Sequence, residues 1–243
     1  DRKKFEVIVF HMPKTKRGII KNEIDSFADN VITLDEKIIN QHKKIKNELL
    51  DIIFYPDIGM SSSTYFLCHS RLAPIQVMSW GHPESSGIST IDYFLSSSFI
   101  ENDDSQSFYS EKLVCLNRIP MYFIPPHVSN LKTDRYYFDL MENKNIYCCP
   151  QTLIKIHPDF DKALSKIIEK DNNSQIIMIE PKYKSHKEKL KNRWLKNYPN
   201  LYNKVMFLKR MPLDEFLSLM NVSDVLLDPF YFGAGLSFSE SML

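Results

Sequence analysis

Short runs of apolar, β-branched residues alternate along the chain with longer stretches whose apolar positions recur every three or four residues. That alternation predicts βα units around a parallel sheet: a strand covered on both faces needs a continuous apolar run, whereas the covering helix needs only a stripe. In the first half, Phe5–Phe10, Asp51–Tyr55, Ile75–Trp80, Tyr93–Leu95 and Lys112–Leu116 predict strands. Between them, residues 37–49 carry Ile38, Ile39, Ile45 and Leu49 among lysines, and Ser61–Arg71 opens on serines able to cap a helix, so both predict helices.

From Ile119 the pattern lapses into Pro120, Pro125, Pro126 and a polar, aromatic stretch of neither period. Residues 121–145 therefore read as a linker or long excursion between an N-terminal half, 1–120, and a C-terminal half, 146–243. The alternation then resumes: strand Ile146–Cys149, helix 158–170, strand Gln175–Glu180, helix 184–197, strand Lys204–Leu208, helix 212–221, strand Asp224–Leu227. Phe160, Leu164, Ile167 and Ile168 form one helical stripe behind Pro158, and Leu213, Phe216, Leu217 and Met220 form another behind Pro212. Both are expected to pack on a sheet.

Composition changes this picture in several places. Lys and Arg number 31 against 30 Asp and Glu, so the chain has no global basic field, and neither a nucleic-acid nor a membrane partner is expected. Ten basic residues between Lys182 and Arg210 face only Glu188 and read as a solvated face. No apolar run approaches the roughly 20 residues that cross a bilayer, and the first 20 residues lack the features of a signal peptide, so the chain reads as cytoplasmic. The four cysteines lack metal-ligand spacing, and adjacent Cys148 and Cys149 suit a buried strand better than a disulfide. Glycine is scarce at six residues, and four of them crowd into two loops, at Gly81 and Gly87 and at Gly233 and Gly235. A glycine kept in so glycine-poor a chain is expected where the backbone requires one.

Three segments could carry chemistry. In residues 150–158 a strand end meets a helix start, the usual anion site of an open α/β sheet; there Lys155 could neutralise a diphosphate and Gln151 could hydrogen-bond a base or sugar. Residues 228–240 repeat the arrangement: Gly233 and Gly235 allow close backbone approach, Ser237 can donate to phosphate, and Glu240 could accept from ribose. In residues 71–87 a strand enters a glycine-bounded loop in which His82 is an acid/base candidate. Asp159 and Asp161 form a DxD string, read as carboxylates at a helix start rather than as metal ligands, so no metal is expected.

Three stretches, RLAPIQVMSWGHPESSG, CPQTLIKIHPDFDKAL and RMPLDEFLSLMNVSDVLLDPFYFGAGLSFSE, resemble in the same order the catalytic region of the bacterial O-linked N-acetylglucosamine transferase family. The resemblance runs from about Phe5 to Leu243. It implies an α/β fold of GT-B type, two facing Rossmann-like domains of which the second is incomplete here, and transfer of a sugar from a UDP-sugar to Ser or Thr of a protein or peptide acceptor. A related branch glucosylates asparagine, and a nucleotide-sugar-binding fragment without turnover is the other alternative. Residue by residue, the resemblance implies that Lys155 contacts the diphosphate, Gln151 the nucleotide and Ser237 a phosphate. It further implies that Met211 and Leu213 meet uracil through their backbone, that Phe216 lies against the base, and that Glu240 is near ribose. Leu236 departs from the family's Asn or His. The UDP-sugar is then a substrate, and no cofactor is implied.

Overall fold

The computed structural model describes residues 3–121, 123–126, 131–132 and 134–242, divided into two compact units, 1–122 and 123–243. The first unit contains β1 (Ile8–His11), α1 (Ile19–Ser26), β2 (Asn30–Thr33), α2 (Ile38–Asn47), β3 (Ile52–Tyr55), α3 (Ser62–Cys68), β4 (Ile75–Met78), β5 (Tyr93–Ser97) and β6 (Lys112–Leu116). β1 and β2 pair in parallel, and β3-β4-β5-β6 form a second parallel sheet in chain order. Ile45, Ile53, Tyr55, Leu67, Met78 and Phe94 make the core, with Leu34, Phe10 and Ile32 from the β1–β2 side packed into it. As expected, Ser61 caps α3, its hydroxyl accepting from the Thr64 N–H. α3 stops at Cys68, short of the predicted Arg71, whose guanidinium bonds the Asp92 carboxylate and the Pro74 carbonyl.

In the second unit follow β7 (Asn145–Cys149), α4 (Pro158–Lys170), β8 (Ser174–Ile179), α5 (Lys184–Asn197), α6 (Pro199–Lys204), β9 (Val205–Leu208), α7 (Leu213–Asn221), β10 (Val225–Leu226) and α8 (Leu236–Ser241). The sheet is parallel throughout, in the order β10-β7-β8-β9. Side chains alternate between its faces: Ile176 and Met178 join Phe160, Leu164, Leu190 and Trp194 on one, while Ile177 joins Ile146, Cys148 and Leu219 on the other. Both faces are thus covered, and each fully buried large side chain contributes about 1.5–3 kcal/mol. Cys148 and Cys149 are wholly buried strand residues, and burial pushes both thiols up to about 12.

Part of the 121–145 stretch has a packing role. Phe138 and Leu140 enter the second core, and the Arg135 guanidinium bonds the Val222 and Lys144 carbonyls and the Asp224 carboxylate. Asp224 also accepts from the Ile146 N–H, which ties β7 to the turn before β10 and holds its carboxyl below the usual range. Of the α7 stripe, Leu217 and Met220 are buried, but Leu213 is exposed because it opens the helix beyond the sheet.

Candidate functional site

The order β10-β7-β8-β9 reverses direction between β7 and β10: the chain leaves β7 toward β8 and β9, then returns to the opposite side of β7. Loops that leave two such strands in opposite directions open a crevice at their carboxyl ends, where open α/β sheets bind ligands. Residues 150–157 follow β7 and residues 227–235 follow β10. The crevice is therefore lined by the two segments that their sequences single out independently.

Side chains from both loops meet there. Lys155 ends a short 3₁₀ turn, Leu153–Lys155, and its ammonium donates to Gln151 Oε1 at 2.8 Å and to the Gly233 carbonyl at 2.8 Å. Its Nζ lies 4.9 Å from the centre of the Phe232 ring. Gln151, itself buried, donates from Nε2 to Ser237 Oγ at 2.7 Å. Partial burial holds the Lys155 ammonium below its usual range; the nearby Asp228 carboxylate opposes that shift. Two of its three N–H bonds are committed, leaving one for an incoming oxygen among the described residues.

Further contacts fix the two loops. The Tyr231 hydroxyl donates to Asp159 Oδ2 at 2.6 Å, its ring meets His157 edge to face at 4.7 Å, and Phe230 meets Phe160 at 5.1 Å. Tyr231 adopts a left-handed φ of 71°, uncommon for a residue with a side chain. Asp228 Oδ1 accepts from the Ala234 N–H at 2.7 Å. A Cβ on Gly233 would fall 2.5 Å from Asp228 Oδ2, so the carboxylate occupies the space a side chain would need. At Gly235 such a Cβ would meet nothing.

The DxD string divides between two tasks. Asp159 takes the Tyr231 hydroxyl, whereas Asp161 is almost fully buried and accepts from Arg193 Nε at 2.6 Å, Arg193 Nη2 at 2.8 Å and Trp194 Nε1 at 2.8 Å. Arg193 also donates to the Ile156 carbonyl at 2.9 Å, anchoring the Lys155 loop from α5. One member of the expected solvated basic face is thus withdrawn into the fold, because a buried carboxylate needs a partner. Lys187 and Lys191 lie over the Phe207 ring at 4.7 and 5.4 Å. Among the described residues no cluster of three His, Cys, Asp or Glu is placed to hold a metal, and no helix is long and apolar enough to cross a membrane.

Other sequence candidates lie apart from this cluster. Met211, Leu213 and Phe216 follow β9, two strands from β7, about 10 Å along the same sheet edge by ordinary strand spacing. Met211 packs on the core and Phe216 is half-buried. Glu240 is half-buried on α8, one turn beyond Ser237. His82 belongs to the first unit, its Nδ1 3.7 Å from Glu84 Oε2 and its Cβ filling the space where a side chain on Gly59 would stand. Sequence reading missed Asp228 and Tyr231 as site residues; an Asp directly after a strand and before a glycine loop was the available signal for the first.

No protein-family profile matches the chain. Residues over 75% of it are 27% identical to a UDP-glucose:protein N-β-glucosyltransferase of Actinobacillus pleuropneumoniae serotype 7, covering 29% of that protein. A probable UDP-N-acetylglucosamine–peptide N-acetylglucosaminyltransferase, SEC, of Arabidopsis thaliana is 30% identical over 67% of the chain and 17% of its own length. The chain therefore spans less than a third of either curated relative. All of it superposes on 46% of a mutant of the Thermobaculum terrenum O-GlcNAc transferase, with a TM-score of 0.82 at 18% identity. A glycosyltransferase of Rickettsia africae aligns over 96% of the chain and 68% of its own with a TM-score of 0.54 at 15% identity. Superposition over the full chain gives the fold, and sequence similarity reaching both an N-glucosyltransferase and a peptide N-acetylglucosaminyltransferase gives the kinship: the chain is a GT-B-type α/β relative of the O-linked N-acetylglucosamine transferase family.

Proposed function

We propose that the crevice between β7 and β10 binds the diphosphate of a UDP-sugar, and that the protein transfers the sugar to a side chain of a protein acceptor. The observation that carries this reading is the junction of Lys155, Gln151, Gly233 and Ser237, a cation, an amide, a backbone carbonyl and a hydroxyl drawn from two loops at a strand-order reversal. An incoming diphosphate would take over bonds that Lys155 and Gln151 now make to neighbouring groups. In the reaction the acceptor atom bonds to the anomeric carbon as the carbon–oxygen bond to UDP breaks with inversion, and the acceptor's proton passes to solvent. Charge then grows on the departing phosphate, where Lys155 and the 233–237 loop stabilise it. Asp161 is already committed to Arg193 and Trp194, so the leaving group is assigned to the lysine rather than to a DxD-bound metal. Met211, Leu213 and Phe216 are assigned to the uracil end, and Glu240 to the ribose.

The acceptor is proposed to be a Ser or Thr hydroxyl and the sugar N-acetylglucosamine. The A. pleuropneumoniae relatives favour a second reading, glucose to the amide of Asn. Lys155→Ala removes a charge-assisted hydrogen bond worth about 1.5–3 kcal/mol, so UDP affinity by calorimetry should fall about ten- to hundredfold. Single-turnover transfer from radiolabelled UDP-N-acetylglucosamine and UDP-glucose to Ser-, Thr- and Asn-bearing peptides separates the two acceptors; nucleotide binding without transfer to any of them would leave only a binding module. Transfer should survive EDTA, and its loss with recovery on added manganese or magnesium would return Asp159 to metal binding.

A further inference from the structure

We propose that Asp228 is the residue that positions the anion-binding loop: by accepting from the Ala234 N–H and filling the space beside Gly233, its carboxylate sets the Gly233 carbonyl where the Lys155 ammonium reaches it. The inference rests on the donor-site reading above. Asp228 stands at the carboxyl end of β10, and its side chain folds back over six residues to Ala234 at 2.7 Å. Gly233 fits because it has no Cβ, which would stand 2.5 Å from the other carboxylate oxygen. The carbonyl of the same peptide then receives Lys155 at 2.8 Å, so the lysine's position depends on the carboxylate through two hydrogen bonds.

Charge adds a second link. Of the charged neighbours acting on Lys155, Asp228 does most to keep it protonated, against the burial that favours the neutral amine. The other titratable group from β7 is the Cys149 thiol, which burial keeps neutral; from α4 and the 228–235 loop come His157, Asp159 and Tyr231, engaged with one another. Asp228 is therefore a counter-charge to Lys155 as well as a loop brace. The two roles separate experimentally, because asparagine keeps the accepting oxygen and discards the charge.

UDP affinity should be measured by calorimetry between pH 7 and 10 for the wild type, Asp228→Asn, Asp228→Ala and Lys155→Ala. Titration of uracil itself is common to all and cancels in their ratios. Asp228→Ala should bind about five- to fiftyfold more weakly at pH 7, the loss of one supporting hydrogen bond. Asp228→Asn should bind at least as tightly as the wild type at pH 7 and lose affinity on the alkaline side sooner, with Lys155→Ala removing that alkaline loss. If Asp228→Ala proves unfolded by thermal melting, Gly233→Ala decides for the loop: its Cβ would stand 2.5 Å from Asp228 Oδ2, so the loop must shift and UDP affinity at pH 7 fall at least about fivefold. An alanine variant at either position that folds and keeps wild-type affinity overturns the proposal, and an asparagine profile parallel to the wild type overturns the counter-charge. A Lys155→Ala variant of wild-type affinity would instead overturn the donor-site reading on which it rests.

Discussion

The loop after β4 in the first unit and the paired loops after β7 and β10 in the second are built around hubs of opposite sign. In the first, Glu111 is buried and accepts from the Ser85 hydroxyl at 2.8 Å, the Ser86 N–H at 2.9 Å, the Ser110 hydroxyl at 3.1 Å and the Ser86 hydroxyl. Those bonds outweigh the burial and hold its carboxyl below the usual range. In the second, the hub is Lys155, surrounded by an amide oxygen and a carbonyl. An anionic hub organises donors and suits hydroxyl or amide ligands, while a cationic hub beside a strand-order reversal suits phosphate. A chain of net charge +1 conceals this division. Both loops contain glycines, so glycine content alone does not tell which of them takes an anion.

Deleting a supporting carboxylate should break the comparison most severely in the second unit. Asp161→Ala leaves the Arg193 guanidinium and the fully buried Trp194 indole N–H without their acceptor, and should destabilise the protein by about 3–5 kcal/mol in urea unfolding. A loss under 1 kcal/mol would mean that the Arg193–Asp161 pair contributes little to anchoring the Lys155 loop.

A smaller effect is expected in the first unit. Glu111→Ala should cost about 1–3 kcal/mol by leaving the serine donors unpaired, with UDP affinity unchanged. Because its folded-state pKa lies below the unfolded value of about 4.3, Glu111 contributes stability that is present above that pH and lost as pH falls through the folded value. Stability measured from pH 7 down to pH 3 should therefore decline less steeply in Glu111→Gln than in the wild type. Equal slopes would assign the acid sensitivity to other carboxylates held low, such as Asp92 and Asp224.

Regions that bury a regular stripe were legible in the sequence; α2 was legible too, although Ile38, Ile39 and Leu49 of its predicted stripe are exposed. The stripe of α4 and the strands β7 and β8 follow from spacing because their apolar positions are buried. α1 and β2 had no predicted counterpart: α1 buries no residue, and three of the four residues of β2 are exposed, so packing imposes no period on them. α6 is a six-residue turn behind Pro199, too short to develop a stripe. At the site, Lys155, Gln151 and Ser237 stood out because each follows a strand end. Their mutual bonds span 86 residues from Gln151 to Ser237 and 78 from Lys155 to Gly233, a separation that the β10–β7 pairing closes. Asp228 acts through backbone geometry, which its residue type alone does not announce.

Calorimetric titration of UDP into the wild-type chain and into Lys155→Ala, at pH 7 with and without EDTA, tests the central claim most directly. The crevice between β7 and β10 requires binding by the wild type that is indifferent to EDTA and a loss of about ten- to hundredfold in the variant, with thermal stability retained. Equal UDP affinity in the two proteins would contradict the assignment and move the nucleotide away from Lys155.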